Sequence, residues 1–386
     1  MSHRKRLQTR TVRAALESDA EHGAVVPPIF LSSTFTFAGL NERRRYDYSR
    51  SGNPTRDALG AALAELEGGA GSVVTATGMA AVQLGVVLAR PGERILAPHD
   101  CYGGTYRLLA ALHRTGRAIV DFVDMRDADA LGSALARRPR IVWIETPSNP
   151  LLRITDITAV AAAAHDVGAL VAVDNTFLSP GWQQPLGLGA DLVVHSTTKY
   201  INGHSDVVGG AVIAKEEGLH EELAWWGNCL GITGSAFDAF LTLRGLRTLH
   251  ARLRQHGENA AGIATLLDGH ESVSQVFYPG LATDPGHALA VRQQAGYGAI
   301  VSFELRGGIP AVARFLDGLE CFSLAESLGG VESLVAHPDT MTHAAMEPPA
   351  RRQAGITPGL LRLSVGIEAL EDLLDDLRDG LERAMG

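Results

Sequence analysis

Hydrophobic and polar positions follow one another along this chain in two textures. The first is a series of short, continuous runs of aliphatic and β-branched residues: "SVVTA" (72–76), "RILAP" (94–98), "IVDFVD" (119–124), "IVWIET" (141–146), "ALVAVD" (169–174) and "DLVVHS" (191–196). Because they are dominated by aliphatic and β-branched residues without a regular alternation of polar ones, they predict strands covered on both faces. The second texture lies between them, in alanine- and leucine-rich segments of helical length. Asp156 to Val167 is one, with Thr155 as the expected N-cap and Gly168 as the exit. The alternation is the βαβ rhythm of an α/β fold with a mainly parallel, doubly covered sheet. Ligands in such folds sit beyond the carboxyl ends of the strands, so the residues following each run are the ones to inspect.

After about Thr233 the rhythm changes. A long helical stretch runs from Gly234 to about Leu267, with an expected interruption at Gly245. Strands "SVSQVFYP" (272–279) and "AIVSFEL" (299–305), a helix around Ile309 to Leu319, a strand "LLRLSVG" (360–366) and an amphipathic helix from Glu368 complete the chain. This pattern predicts a smaller α+β domain. Three parts are therefore expected: an N-terminal arm over 1–55, a large domain over 56–250 and a C-terminal domain over 251–386.

Bulk composition removes several classes of function. With 386 residues, 46% of them hydrophobic and 20% charged, the chain can bury the cores of two domains. A net charge of −9 argues against a nucleic-acid partner, which normally shows as a basic excess. The three cysteines are widely spaced and lack a C-x-x-C pair, so neither a disulfide framework nor a metal site is expected, and a reducing cytoplasm fits. No apolar run reaches transmembrane length, so no membrane association is expected. The start of the chain lacks the apolar segment of a secretory signal. Its arginines, with no acid before Glu17, suit a transit peptide or an uncleaved arm, and the arm is the reading taken here.

The strand ends carry the candidate chemistry. "SVVTA" runs into "TGMAAV" (77–82), where a glycine opens a helix whose free amides and positive dipole end can accept an anion. "RILAP" delivers Tyr102 in "DCYGGT", "ALVAVD" ends on Asp174, and "DLVVHS" leads to Thr197, Thr198 and Lys199. A dinucleotide site fits poorly: the nearest glycine cluster, Gly69 to Val74, lacks the third glycine and precedes a strand instead of following one. A Walker-type loop is absent. An anion cradle, an aromatic plate, an acid and a lysine together match the needs of pyridoxal phosphate: a phosphate site, a stacking partner, a carboxylate for the ring nitrogen and an amine for the aldehyde.

Longer strings then carry a specific resemblance. "YDYSRSGNPT" (46–55), "TGMAAV", "DCYGGTYRL" (100–108), "ETPSNPLLR" (145–153), "VDNTFLSP" (173–180), "HSTTKYINGHSD" (195–206), "ELAWWGNCLG" (222–231), "ESLGGVESL" (326–334) and "LRLSVGIE" (361–368) resemble the Cys/Met-metabolism family of fold type I pyridoxal-phosphate enzymes. The match spans nearly the whole chain. It implies a mainly parallel seven-stranded sheet in the large domain, pyridoxal phosphate as cofactor, amino-acid substrates and a homotetramer built as a dimer of dimers.

Residue by residue, the resemblance implies that Lys199 holds the cofactor covalently and moves protons. Ser196, Thr198 and the amides of Gly78 and Met79 would bind the phosphate, Asp174 the ring nitrogen, and Tyr102 the ring face. Tyr48 and Arg50 would reach the phosphate of a neighbouring subunit. Arg362, supported by Ser327 and Asn149, would take the substrate α-carboxylate. Glu326, Arg107, Asp47 and Asn228 would line the outer pocket, with Arg107 suited to a distal carboxylate. The implied reaction is a γ-replacement in which O-succinyl-L-homoserine and L-cysteine give L-cystathionine and succinate. The same core serves γ-lyases, β-lyases and sulfhydrylases. Glu326 and "AWWGNCLG" favour replacement over β-elimination, while γ-elimination stays open as the alternative.

Overall fold

The computed structural model describes residues 5–344 and 346–386, so the first four residues of the expected arm lie outside it. The described residues form twelve strands: β1 Gly71–Thr75, β2 Arg94–Pro98, β3 Ile119–Val123, β4 Ile141–Glu145, β5 Leu170–Asp174, β6 Leu192–His195, β7 Gly210–Ala214, β8 Val273–Phe277, β9 Ile300–Leu305, β10 Ser323–Leu324, β11 Leu334–Ala336 and β12 Leu360–Ser364. The first seven make a sheet in the order β1-β7-β6-β5-β4-β2-β3, and the last five make a second in the order β10-β11-β12-β9-β8. No described helix is long and apolar enough to cross a membrane.

By compactness the chain falls into two units. The first holds the residues up to Leu88 together with Leu170–His250, and the second holds Ala89–Ala169 with Ala251–Gly386. In the first unit β5 and β6 run parallel, while β7 is antiparallel to both β6 and β1. The sheet is therefore mixed at one edge and parallel elsewhere among the recorded pairings. Val171–Val173, Leu192–Val194 and Ala211–Ala214 are completely buried, which explains why their runs carry no polar alternation. Sequence patterning did not announce β7. Its five residues start at a glycine and follow a long polar loop, so they read as more loop.

In the second unit β2 pairs parallel with both β3 and β4. β4 is buried along its whole length, whereas β3 opens with an exposed Ile119 and carries Asp121, which Arg94 and Arg137 approach. The second sheet is antiparallel apart from the β10–β11 pair. Phe303 of β9 meets Phe315 of the helix Gly308–Leu316 edge-on at 5.5 Å, which anchors that helix on the sheet.

Three expected helix boundaries move, each for a visible reason. The helix Ile157–Asp166 is capped by Asp156, whose side chain accepts the Ala159 amide at 3.0 Å, and not by Thr155. The C-terminal helix starts at Leu370, two residues after Glu368, because that carboxylate accepts the Ser333 amide at 2.7 Å and its hydroxyl at 2.9 Å. The long helical stretch breaks after Leu246 and resumes at Leu249, so Gly245 is helical. Its lack of a side chain serves packing: a Cβ there would lie 2.9 Å from the carbonyl carbon of Asn202 and 3.0 Å from its Cα.

The same substitution should thus act with opposite signs at two helical glycines. Gly132 is exposed in the helix Ala128–Leu135 with nothing near its Cβ position, so Gly132→Ala should stabilise the chain by about 0.5–1 kcal/mol. Gly245→Ala should destabilise it by roughly 1–3 kcal/mol through overpacking against backbone. Denaturation midpoints of the two cofactor-free variants check this, and movement in the same direction would contradict the packing described.

Candidate active site

In the first unit the site is built from two strand ends. β5 finishes on Asp174 and β6 on His195, and Thr176 joins the two tips. The Thr176 amide donates to Asp174 Oδ1 at 3.0 Å, and its hydroxyl oxygen accepts the Ser196 amide at 2.9 Å. Asp174 keeps some accessible surface, yet the protein crowded around its carboxyl dominates. Desolvation pushes the carboxyl above the ordinary carboxylate range, against hydrogen bonds from Thr176 and the nearby His195. Thr176 itself was not singled out in the sequence, although a hydroxyl two residues after an acid is a common turn pattern.

The helix Gly78–Val86 brings its first turn to the same place. Thr77 caps it by accepting the Ala80 amide at 2.9 Å. A Cβ at Gly78 would stand 2.7 Å from both Cβ and Oγ of Ser196, so only glycine lets the helix N-terminus come this close. Gly78, Met79 and Ser196 therefore share one small region with the positive end of the helix. Thr198 bonds Gly209 from both sides, donating to its carbonyl at 3.2 Å and accepting its amide at 3.0 Å. Lys199 lies half-buried on the next turn, its amide 3.3 Å from Ser196 O and its carbonyl accepting the Gly203 amide at 2.8 Å.

The arm contributes a second group in this unit. Arg50 stacks its guanidinium 5.9 Å from the Tyr48 ring centre and donates to the Asn228 carbonyl at 3.2 Å. Tyr48 is 49% exposed. Asn228 Oδ1 is buried without a hydrogen-bond partner among the described residues. Arg50 and Asn228 line one wall of a cavity of about 770 Å³ together with Arg56 and His220. The Asp47 carboxylate is used locally: it accepts the Tyr48 amide at 2.7 Å and the Ser51 hydroxyl at 2.9 Å, and it pairs with Arg43 at 2.6 Å.

The second unit holds the other candidates. Tyr102 precedes the helix Gly103–Arg114, and its amide donates to Glu145 Oε2 at 2.8 Å, tying the end of β4 to this turn. The Tyr102 ring is 42% exposed, while burial of its hydroxyl end, reinforced by Glu326 and opposed by Arg107 and Arg362, raises the phenol above its usual value. Glu326, Arg107 and Arg362 thus each lie within electrostatic reach of the Tyr102 phenol. Glu326 and Arg107 are both exposed.

Arg362 sits on β12 at 2% exposure. Its Nη1 donates to Asn149 Oδ1 at 2.9 Å and its Nη2 to the Ser327 carbonyl at 2.8 Å. Ser327 adopts φ +86°, a left-handed conformation that costs a non-glycine residue about 1–3 kcal/mol, and the strain aims its carbonyl at the guanidinium. Asn149 is held in turn by His343. Burial lowers that imidazole to about 4, so near neutral pH it is uncharged. Its Nε2 donates to the Asn149 carbonyl at 3.0 Å, and its Nδ1 accepts the Thr342 hydroxyl at 2.8 Å. Sequence reasoning grouped Asn149, Ser327 and Arg362 but gave no role to Glu145 or His343.

The structural state of Asp174 has a measurable sign. A raised carboxyl means that the ionised form costs folding stability, a cost absent below the ordinary carboxylate range and incurred as pH rises through the raised value. Asp174→Asn keeps an acceptor for the Thr176 amide and removes the charge. Without cofactor, the variant should melt higher than wild type at neutral pH, with the gap closing as the pH is lowered. A variant that melts lower at neutral pH would mark Asp174 as a structural cap.

An anion-accepting helix turn, a carboxylate whose burial calls for a proton-bearing partner, and a lysine on the adjoining turn form a donor set that suits a phosphorylated pyridine aldehyde. Comparison with known proteins agrees. Residues 8–382 match the family model described as Cys/Met metabolism PLP-dependent enzyme. The chain is 55% identical to cystathionine gamma-synthase of Escherichia coli (strain K12) over 97% of its own length and 98% of that protein. It is 44% identical to a cystathionine beta-lyase of Lactococcus lactis subsp. cremoris (strain MG1363) over 98% and 99% of the two chains. Among solved structures it matches cystathionine gamma synthase from Xanthomonas oryzae pv. oryzae in complex with cystathionine, with a TM-score of 0.98, 63% identity and 99% coverage of both chains. The chain therefore belongs to the Cys/Met-metabolism family of pyridoxal-phosphate-dependent enzymes.

Proposed function

We propose that the enzyme performs γ-replacement, joining O-succinyl-L-homoserine to L-cysteine to give L-cystathionine and succinate. The observation that carries this reading is the Arg362 site. A guanidinium 2% exposed and oriented by Asn149 Oδ1 and Ser327 O is a rigid fork for an α-carboxylate, and Arg107 lies within electrostatic reach of the same Tyr102 as a second cation. Two cations suit an amino acid that carries a second carboxylate on its acyl group. The names of the gamma-synthase relatives support the same assignment.

Bound pyridoxal phosphate supplies the sink for the electron pair left at Cα when its proton departs. Lys199 would hold the cofactor through its ε-amine, and the same amine would take the Cα proton of the substrate and return it. Asp174 would receive the ring nitrogen, and a protonated partner there would relieve the desolvation that raises its carboxyl. Ser196 and the amides of Gly78 and Met79 hold the phosphate, with Thr198 beside them through its Gly209 bonds. Tyr102 stacks on the ring. Arg362 fixes the α-carboxylate, supported by Asn149 and Ser327. Glu326 would serve the outer end of the substrate site, and Asp47 shapes the Tyr48 turn. Lys199 also takes a second proton, from Cβ; the Cγ–O bond breaks with its electron pair leaving on succinate, the cysteine thiolate forms the Cγ–S bond, and the protons are then returned to Cβ and Cα.

Tyr48 and Arg50 belong, in this reading, to the site of a partner subunit in a homotetramer built as a dimer of dimers. The arm supports it: Phe30, Leu31, Phe37 and Leu40 are exposed along with Tyr48, an apolar stretch that a partner would cover.

Product analysis tests the reaction. With both substrates cystathionine should accumulate, and exclusive breakdown of added cystathionine to cysteine and 2-oxobutyrate would make the enzyme a γ-lyase. In the same assay Arg362→Ala should lower kcat/KM about 10–100-fold for every amino-acid substrate, as expected for loss of a charge-assisted pair. Arg107→Ala should harm succinyl esters more than acetyl esters, and equal losses would remove it from the distal carboxylate. Mixing Arg50→Ala with Lys199→Ala tests the shared site. A hybrid dimer holds one site with neither defect, so activity should partly return, while inactive verified hybrids would place Arg50 in its own chain's site.

A further inference from the structure

Glu67 closes the helix Pro54–Glu67 and His195 closes β6, and neither takes part in the chemistry above. Both side chains are fully buried, with His195 Nε2 2.6 Å from Glu67 Oε1. Sealing a carboxylate and an imidazole in a core is costly, and apolar residues of similar volume often serve stability as well or better. The pair therefore calls for a purpose beyond holding the fold together.

Its connections suggest one. The same Oε1 accepts a second hydrogen bond, from Asn175 Nδ2 at 3.0 Å. Asn175 follows Asp174 in the chain, and His195 precedes Ser196. One oxygen atom thus ties two strand ends, each one residue away from a group assigned to the cofactor. Gln183 holds Asn175 from the other side, accepting from Nδ2 at 2.8 Å and donating to Oδ1 at 3.0 Å. Glu67 Oε2 and His195 Nδ1 have no hydrogen-bond partner among the described residues, so the anchoring converges on Oε1.

We propose that Glu67 is a positioning residue for the cofactor: through Oε1 it sets the spacing between the Asp174 carboxylate and the Ser196 hydroxyl. The inference rests on the assignment of Asp174 and Ser196 to pyridoxal phosphate. Ring nitrogen and phosphate are joined by a rigid ring and a short arm, so the groups that receive them must hold a fixed separation. A single shared acceptor behind both strand ends fixes it.

Absorbance titration of the cofactor-free enzyme with pyridoxal phosphate, alongside its melting temperature, tests the role. Glu67→Ala should weaken cofactor binding about 10–100-fold, the range for residues that orient ligands from behind. Glu67→Gln, which keeps an Oε1 acceptor, should recover most of that loss. A folded Glu67→Ala with wild-type affinity, or a Glu67→Gln as weak as Glu67→Ala, overturns the proposal. A change in melting temperature with no change in affinity overturns it as well. Should Glu67→Ala fail to fold, Asn175→Ala decides, because it cuts the branch toward Asp174, together with the Gln183 bonds, and leaves the His195 branch in place: about tenfold weaker binding is expected, and unchanged binding overturns the role. Asp174→Ala in the same titration separates the two levels. If that variant binds as wild type, the assignment of Asp174 fails and the proposal with it. Loss there without loss in Glu67→Ala overturns the positioning role alone.

Discussion

Desolvating the Asp174 carboxylate disfavours its charge, and much of the first unit can be ordered by how it answers that cost. The apolar run that buries β5 also drives its tip into the protein, so the cost follows from the packing that makes the strand. Thr176 offsets part of it with a hydrogen bond and spends its own hydroxyl on Ser196, which links the acid to the anion-binding turn. The remaining cost is what a protonated pyridine would relieve. A site that is strained in this way without its ligand favours the ligand that removes the strain.

The second unit solves the opposite problem, a buried cation. Arg362 is oriented by two neutral acceptors, and those acceptors are themselves constrained. Ser327 is held in a left-handed conformation, and Asn149 is fixed through an uncharged His343. Neutral acceptors orient a guanidinium without adding a charge of their own, which suits the carboxylate-binding role proposed for Arg362. Had an acid taken either place, the fork would have been equally rigid and far less useful.

How much of this was legible in the sequence depended on distance along the chain. β2 was read at both ends because an apolar run bounded by polar residues is a local signal, and the lysine, its hydroxyls and the acid were read because each closes such a run. Gly245 was misread as a breaker because the reason for it lies in Asn202, which no window around residue 245 contains. Glu67 and His343 were invisible for the same reason: their decisive contacts span 128 and 194 residues. Thr155 lost its expected cap to Asp156 by one position, the scale at which local signals stop discriminating.

Relatives named as a synthase and as a β-lyase both align with nearly the whole chain, so the scaffold common to them cannot choose the reaction. In the proposed reading Asp174, Thr176, Asn149 and Arg362, each held by hydrogen bonds, would deal with parts common to every substrate of such an enzyme and its cofactor: the cofactor ring and the α-carboxylate. Arg107 and Glu326 differ in kind. They are exposed, they carry opposite charges, and both are felt at the same phenol on Tyr102. Replacing either disturbs no core, so they can vary at little cost to folding while changing how readily Tyr102 yields its proton and, in the proposed reading, which distal group is welcome. On the proposed assignment, reaction specificity would fall to the exposed charges of Arg107 and Glu326, and the chemistry common to the family to the groups held within the protein.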